Sequence, residues 1–167
     1  MEKPPIVCVV GKSDAGKTTF LEKLIRELKI RKIRVGTIKH DAHGFDIDKP
    51  GKDTWRHAQA GADAVIISSP AKFALIKKVD EEMSLDQVAE LLPDMDIILT
   101  EGFKRSDKPK IEISRTAHSS ELLCTSNELI ALVSDAEWDI GVPLFGLDDA
   151  SGVADLLQDK YGLQPDK

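Results

Sequence analysis

A chain of 167 residues is the size of one domain and can bury a substantial core. Hydrophobic residues at 41% and charged residues at 31% describe a globular protein and exclude a disordered or fibrous one. A net charge of -6, from 23 basic and 29 acidic residues, excludes a non-specific nucleic-acid binder, which needs a basic surface to displace counterions from phosphates.

The first element is Ile6–Val10, a β-branched run suited to a strand buried on both faces. Lys17–Ile30 follows as a helix with Phe20, Leu21, Leu24, Ile25 and Leu28 on one face. Ile33–Lys39 reads as a second strand. Asp53 is placed to cap the next helix and Gly61 to end it. Ala64–Ser68 is a third strand and Phe73–Val79 a fourth. Ser84-Leu85-Asp86-Gln87 fits a capping box for the helix carrying Val88, Leu91 and Leu92, which Pro93 closes. Asp96–Thr100 is an apolar strand running into Glu101-Gly102. Lys110–Ser114, Leu129–Val133 and Val142–Phe145 are further strands, and Asp149–Lys160 is a terminal helix. Strands alternating with helices at this spacing predict a three-layer α/β fold with a mostly parallel central sheet. The stretches Pro70–Val79 and Lys108–Ser114 have no neat helical partner and are expected to form a small added β-element. No linker long enough for a second domain interrupts the chain, so one domain over residues 1–167 is expected.

Two cysteines, Cys8 and Cys124, are too few for a disulfide framework, and Cys8 lies in an apolar run where a buried free thiol is the default. Met-Glu-Lys-Pro-Pro has no apolar signal region and no stretch reaches the length of a membrane span, so a cytoplasmic location without a membrane partner is expected. Basic residues concentrate in Arg26, Lys29, Arg31, Lys32, Arg34 and Lys39 and again in Lys104, Arg105, Lys108 and Lys110. Such runs are either solvated faces or patches that attract a small polyanion.

Gly11-Lys12-Ser13-Asp14-Ala15-Gly16-Lys17-Thr18 matches G-x-x-x-x-G-K-[ST] in full, between a strand and an amphipathic helix. Glycines let the backbone wrap phosphate oxygens and aim its N–H groups at them, while the positive helix N-terminus faces the anion. Lys17 is expected to meet the β/γ-phosphates and Thr18 to ligate Mg²⁺. The strand ending at Glu101 looks like a Walker B element, whose carboxylate holds the metal shell or orients a water. Lys17 and Glu101 are therefore the expected catalytic residues, and Thr18 and Glu101 the metal ligands. Asp96 belongs at the other end of that strand.

The segment Lys39–Asp53 contains His40, His43, Asp46 and Asp48 and follows the second strand, where ligands bind in open α/β folds. His40 and His43 taken alone are possible metal ligands, but no complete ligand set accompanies them. Asp46 and Asp48 either order a Mg²⁺ hydration shell or serve as turn residues.

GKSDAGKTT is similar to the deviant Walker A loop GKGGVGKTT of dimeric SIMIBI-class P-loop NTPases. By that resemblance Lys12 reaches a partner subunit's nucleotide; otherwise it is an exposed lysine drawn to phosphate. With TIKHDAHGFDIDKPGKDTWRHAQAGA and IILTEGFK added, the chain from about Val7 to Arg115 closely resembles the molybdopterin-guanine dinucleotide biosynthesis protein B (MobB) family. The resemblance implies a homodimeric GTP-binding P-loop protein with weak GTPase activity. It also implies assistance to a partner nucleotidyltransferase, MobA, which attaches GMP to molybdopterin. It carries the triphosphate to Gly11–Thr19, thus including Thr19, and the metal to Glu101. Lys39, His40, Asp46, Asp48, Lys52, Asp53 and Arg56 are then expected at the same mouth, toward pterin or partner.

Guanine recognition lacks a plain Asn-Lys-x-Asp motif. Asp135, after Leu132-Val133-Ser134, either presents its carboxylate to guanine or is a turn residue. The competing class is a small-molecule P-loop kinase, for which Arg105 and Arg115 are available although no arginine-rich lid pattern is visible.

Overall fold

The computed structural model describes residues 3–118 and 120–164. Its elements run β1 (Ile6–Val10), α1 (Lys17–Ile30), β2 (Val35–Lys39), α2 (Asp53–Gln59), β3 (Ala64–Ser68), β4 (Phe73–Lys77), α3 (Leu85–Ala89), β5 (Ile97–Glu101), β6 (Lys110–Ser114), β7 (Leu129–Ser134), β8 (Leu144–Phe145) and α4 (Ala150–Tyr161). They fall into two compact units. One comprises the described residues up to His40 and from Leu85 onward, and the other spans Asp41–Ser84.

In the larger unit six parallel strands lie in the order β2-β5-β1-β6-β7-β8. Side chains alternate across a strand, so β1 feeds both faces. Val7 and Val9 join Leu24, Leu28, Val153 and Leu157 in one apolar layer. Cys8 and Val10 join Leu85, Ala89 and Cys124 in the other. The result is the expected three-layer α/β architecture, with both cysteines buried as free thiols. Burial and the nearby Glu112 carboxylate push the Cys124 thiol up to about 11. No helix among the described residues is long and apolar enough to cross a membrane.

Two strand assignments change. Lys110–Ser114, expected in the added β-element, is the central strand β6, paired with β1 and β7. Its polar side chains are buried because they have internal partners. Lys110 Nζ donates to the Ser106 carbonyl at 2.6 Å and to Glu128, and Glu112 accepts the backbone N–H groups of Leu123 and Cys124. The added element is instead β3 with β4, an antiparallel hairpin running from Ala64 opposite Lys77 to Ser68 opposite Phe73. Ala64–Ser68 thus leaves the parallel sheet. Helix α2 begins at Asp53 with Lys52 at its N-cap, so Asp53 contributes charge to the first turn rather than the cap. Asp149 does cap α4, accepting the Gly152 N–H at 2.8 Å.

Much of the first basic run is consumed by packing. Arg31, at the end of α1, bonds Glu27, Asp155, Gln158 and Ser151, clasping α1 to α4. Arg34 joins the start of β2 to Asp96, immediately before β5, through its backbone N–H at 2.7 Å and its guanidinium at 3.0 Å. Burial alone would raise the Asp96 carboxyl; the Arg34 hydrogen bonds and charge outweigh it and hold it below the usual carboxylate value. A depressed folded pKa means stabilisation present above the unfolded value and lost as pH falls through the folded one. Asp96→Asn is therefore expected to cost about 1–2 kcal/mol at neutral pH. Denaturant titrations of the two proteins should converge as the pH drops below the carboxylate range.

Candidate functional site

The loop between β1 and α1 sits at the carboxyl edge of the parallel sheet, between its two neighbours β5 and β6. Local rules explain its path. A Cβ on Gly11 would stand 2.5 Å from the Ile113 backbone carbonyl of β6, so only glycine fits. Gly16 ends the loop at φ 92°, a left-handed conformation natural to glycine. It precedes a helix whose first turn has no side-chain cap, which leaves the N–H groups there for an external acceptor. Asp14 adopts φ 60° to complete the wrap. Ala15 is buried, while Ser13 and Asp14 are exposed and make a 3.4 Å contact with each other.

Lys17 folds back over the loop, with Nζ donating to the carbonyls of Gly11 at 3.0 Å and Lys12 at 2.8 Å. Its ammonium therefore lies across the cradle. The Thr18 hydroxyl donates to Glu101 Oε1 at 2.9 Å, although the two residues are 83 apart in sequence. Register creates that meeting, since Glu101 of β5 lies opposite Val9 of β1 and Lys39 of β2. Lys39 Nζ stands 3.9 Å from the same Glu101 oxygen. Beyond the strand, His40 N–H donates to the Glu101 carbonyl at 3.0 Å and Gly102 N–H to that of Val9 at 3.1 Å, fixing the carboxylate's backbone from both sides. The His40 ring stacks obliquely on Phe103 at 4.7 Å. Two hard oxygen donors beside a lysine suit Mg²⁺, which takes few protein oxygens and completes its shell with phosphate and water.

Thr19 is exposed in the first turn of α1. Asp135 follows β7, two strands from β1, and its Oδ1 accepts the Thr116 N–H at 2.8 Å. Asp46, Asp48, Lys52, Asp53 and Arg56 belong to the smaller unit, where Asp48 bonds the Lys49 N–H at 2.7 Å.

One further residue joins the loop, an arginine that the sequence offers only to a lid. Arg115, directly after β6, packs its guanidinium on Gly16: a Cβ there would meet Nε and Nη2 at 3.4 Å. Its sequence signal is an arginine directly after the strand Lys110–Ser114, at the edge where Glu101 also emerges.

A parallel sheet carrying a G-x-x-x-x-G-K-[ST] loop between its first strand and first helix defines a P-loop α/β protein. The family profile described as molybdopterin guanine dinucleotide synthesis protein B matches residues 6–135, and the chain belongs to this MobB family. It is 38% identical over 159 residues to the molybdopterin-guanine dinucleotide biosynthesis adapter protein of Escherichia coli (strain K12), covering 92% of this chain and 91% of that protein. Against the adapter protein of Haemophilus influenzae it is 35% identical, covering 92% of this chain and 88% of the relative. The crystal structure of Bacillus subtilis MobB superposes with a TM-score of 0.73 at 28% identity, over 97% of this chain and 99% of that one.

Proposed function

We propose that this chain binds GTP with Mg²⁺ at Gly11–Thr18 and serves as an adapter protein in molybdopterin-guanine dinucleotide biosynthesis, assisting a MobA-like nucleotidyltransferase. The observation that carries the nucleotide reading is the Thr18–Glu101 hydrogen bond beside the Lys17 ammonium. It gathers metal donors and a phosphate-seeking cation in one cradle. Family membership carries the pathway.

The chemistry such a cradle supports is weak GTP hydrolysis. Lys17 and the loop N–H groups stabilise charge on the phosphates, and Thr18 and Glu101 hold the metal or its water shell. Bound Mg²⁺ would supply neutralisation of the β/γ oxygens. Lys12 belongs to the same loop and is the residue through which a second copy would feel the nucleotide. A homodimer is supported by the hairpin of β3 and β4, where Ile66, Phe73 and Leu75 share one face and are 63%, 74% and 45% exposed. A two-stranded hairpin gains stability in water only when its apolar face is covered, and a symmetric copy would cover it. Molybdopterin or its guanine dinucleotide is a further ligand of this reading. The buried free thiols Cys8 and Cys124 agree with a cytoplasmic location. The kinase alternative loses ground because Arg115 packs on the loop rather than standing on a lid.

Guanine selectivity is assigned to Asp135. Asp135→Asn keeps an oxygen for the Thr116 N–H but replaces the carboxylate's second acceptor by a donor. Calorimetric titration should record a loss of about tenfold or more for GTP and little for ATP; equal losses would return Asp135 to a turn role. The adaptor role is tested by pull-down from molybdenum-using cells with the protein loaded with GTP or GDP. Recovery of a molybdopterin nucleotidyltransferase supports it, and reproducible absence of any cofactor enzyme removes it.

A further inference from the structure

The loop is flanked by charge of different kinds. On the β5 side stand Glu101 and Lys39; on the β6 side stands Arg115, directly after the strand. The Arg115 guanidinium lies against Gly16, the residue opening α1, with Nε and Nη2 each 3.4 Å and Cζ 3.5 Å from where a Cβ would be. A cation held against a positive helix N-terminus favours an anion bound beside both. Hydrogen bonding points the same way. Arg115 Nε is buried and donates to no group among the described residues, although a buried guanidinium N–H without an acceptor is costly. Neighbouring carboxylates carry other bonds: Glu112 accepts the Leu123 and Cys124 N–H groups, Asp135 accepts that of Thr116, and Asp148, which also feels the Arg115 charge, is paired with Lys23.

We infer that Arg115 is a ligand of the bound nucleotide's α- and β-phosphates, gripping the anion from the β6 side. The inference rests on the proposal that Gly11–Thr18 holds a nucleotide, and it adds the residue that closes the cradle opposite the metal. Strand order selects the phosphate. Under that proposal Glu101 and Thr18 mark the γ-phosphate and metal side at β5, and Asp135 the base side at β7, two strands from β1. Arg115, on the strand between β1 and β7, lies toward the base rather than toward the γ-phosphate. It therefore anchors both diphosphate and triphosphate and does not act as an arginine finger on the transferred group.

Binding of GTP, GDP and inorganic tripolyphosphate, each with Mg²⁺, to wild type, Arg115→Ala and Arg115→Lys tests this by calorimetry. Arg115→Ala should weaken all three by a similar factor, about ten- to a hundredfold, and Arg115→Lys should recover part of the loss. Unchanged affinity would overturn the inference. So would a loss confined to GTP and tripolyphosphate, which means a γ contact, or one confined to the nucleotides, which means a base or ribose contact. If wild type binds none of the three, the phosphate-loop proposal itself fails, a different result from loss only in the variants. Should Arg115→Ala not fold, phenylglyoxal labelling of wild type decides the question. Protection of Arg115 by both GDP and tripolyphosphate is expected, and equal labelling with and without them refutes the contact.

Discussion

Gly11→Ala is expected to abolish nucleotide binding and to destabilise the fold together. The added methyl would stand 2.5 Å from the Ile113 carbonyl, a backbone atom in the centre of the sheet. No side chain can rotate away to relieve that contact. Either β1 and β6 separate locally or the loop lifts from the sheet. Overpacking of this kind costs about 1–3 kcal/mol, visible as a lower denaturation midpoint. The binding loss exceeds what the stability loss explains, because N–H groups aimed at phosphate oxygens lose their alignment within a fraction of an ångström. The two effects are separated by titrating GTP well below the denaturation midpoint. A variant that is less stable yet binds normally would mean the loop does not need this close approach.

The second large effect concerns the proposed metal. Glu101→Gln preserves shape and the Thr18 hydrogen bond but removes the charge that would face the cation. GTP turnover is expected to fall about a hundredfold or more, and the Mg²⁺ concentration for half-maximal activity to rise. Nucleotide binding without Mg²⁺ should strengthen slightly, since a carboxylate beside the phosphates repels them. Lys39, at 3.9 Å from Glu101, limits that gain because it already offsets part of the charge. Wild-type turnover with unchanged metal dependence would remove Glu101 from the metal site.

Features governed by local chemistry could be read directly from the residues. Lys17–Ile30 forms a helix over the expected range because the loop glycine ends immediately before it and its apolar positions recur with helical spacing. Ala64–Ser68 was recognised as a strand for a similar reason, but its pairing partner was not, because pairing depends on residues elsewhere in the chain. Lys110–Ser114 hides its central place in the sheet. Its alternation of lysine and glutamate with isoleucine imitates a half-exposed strand. The groups that make Lys110 and Glu112 tolerable inside are Ser106, Glu128, Leu123 and Cys124, supplied by flanking loops whose conformations sequence reasoning does not reach. Arg115 was hard to place for the same reason: its contact with Gly16 spans almost 100 residues and exists only once β6 lies beside β1.

The clasp formed by Arg31 gives the proposed nucleotide site a foundation at the far end of helix α1. Helix α1 carries Lys17 and Thr18 at one terminus and is moored to Asp155, Gln158 and Ser151 of α4 at the other. It works as a rigid lever whose anchored end determines how steadily its working end is held. Damage to α4, remote from any phosphate, would therefore surface as poor nucleotide retention before it surfaced as unfolding.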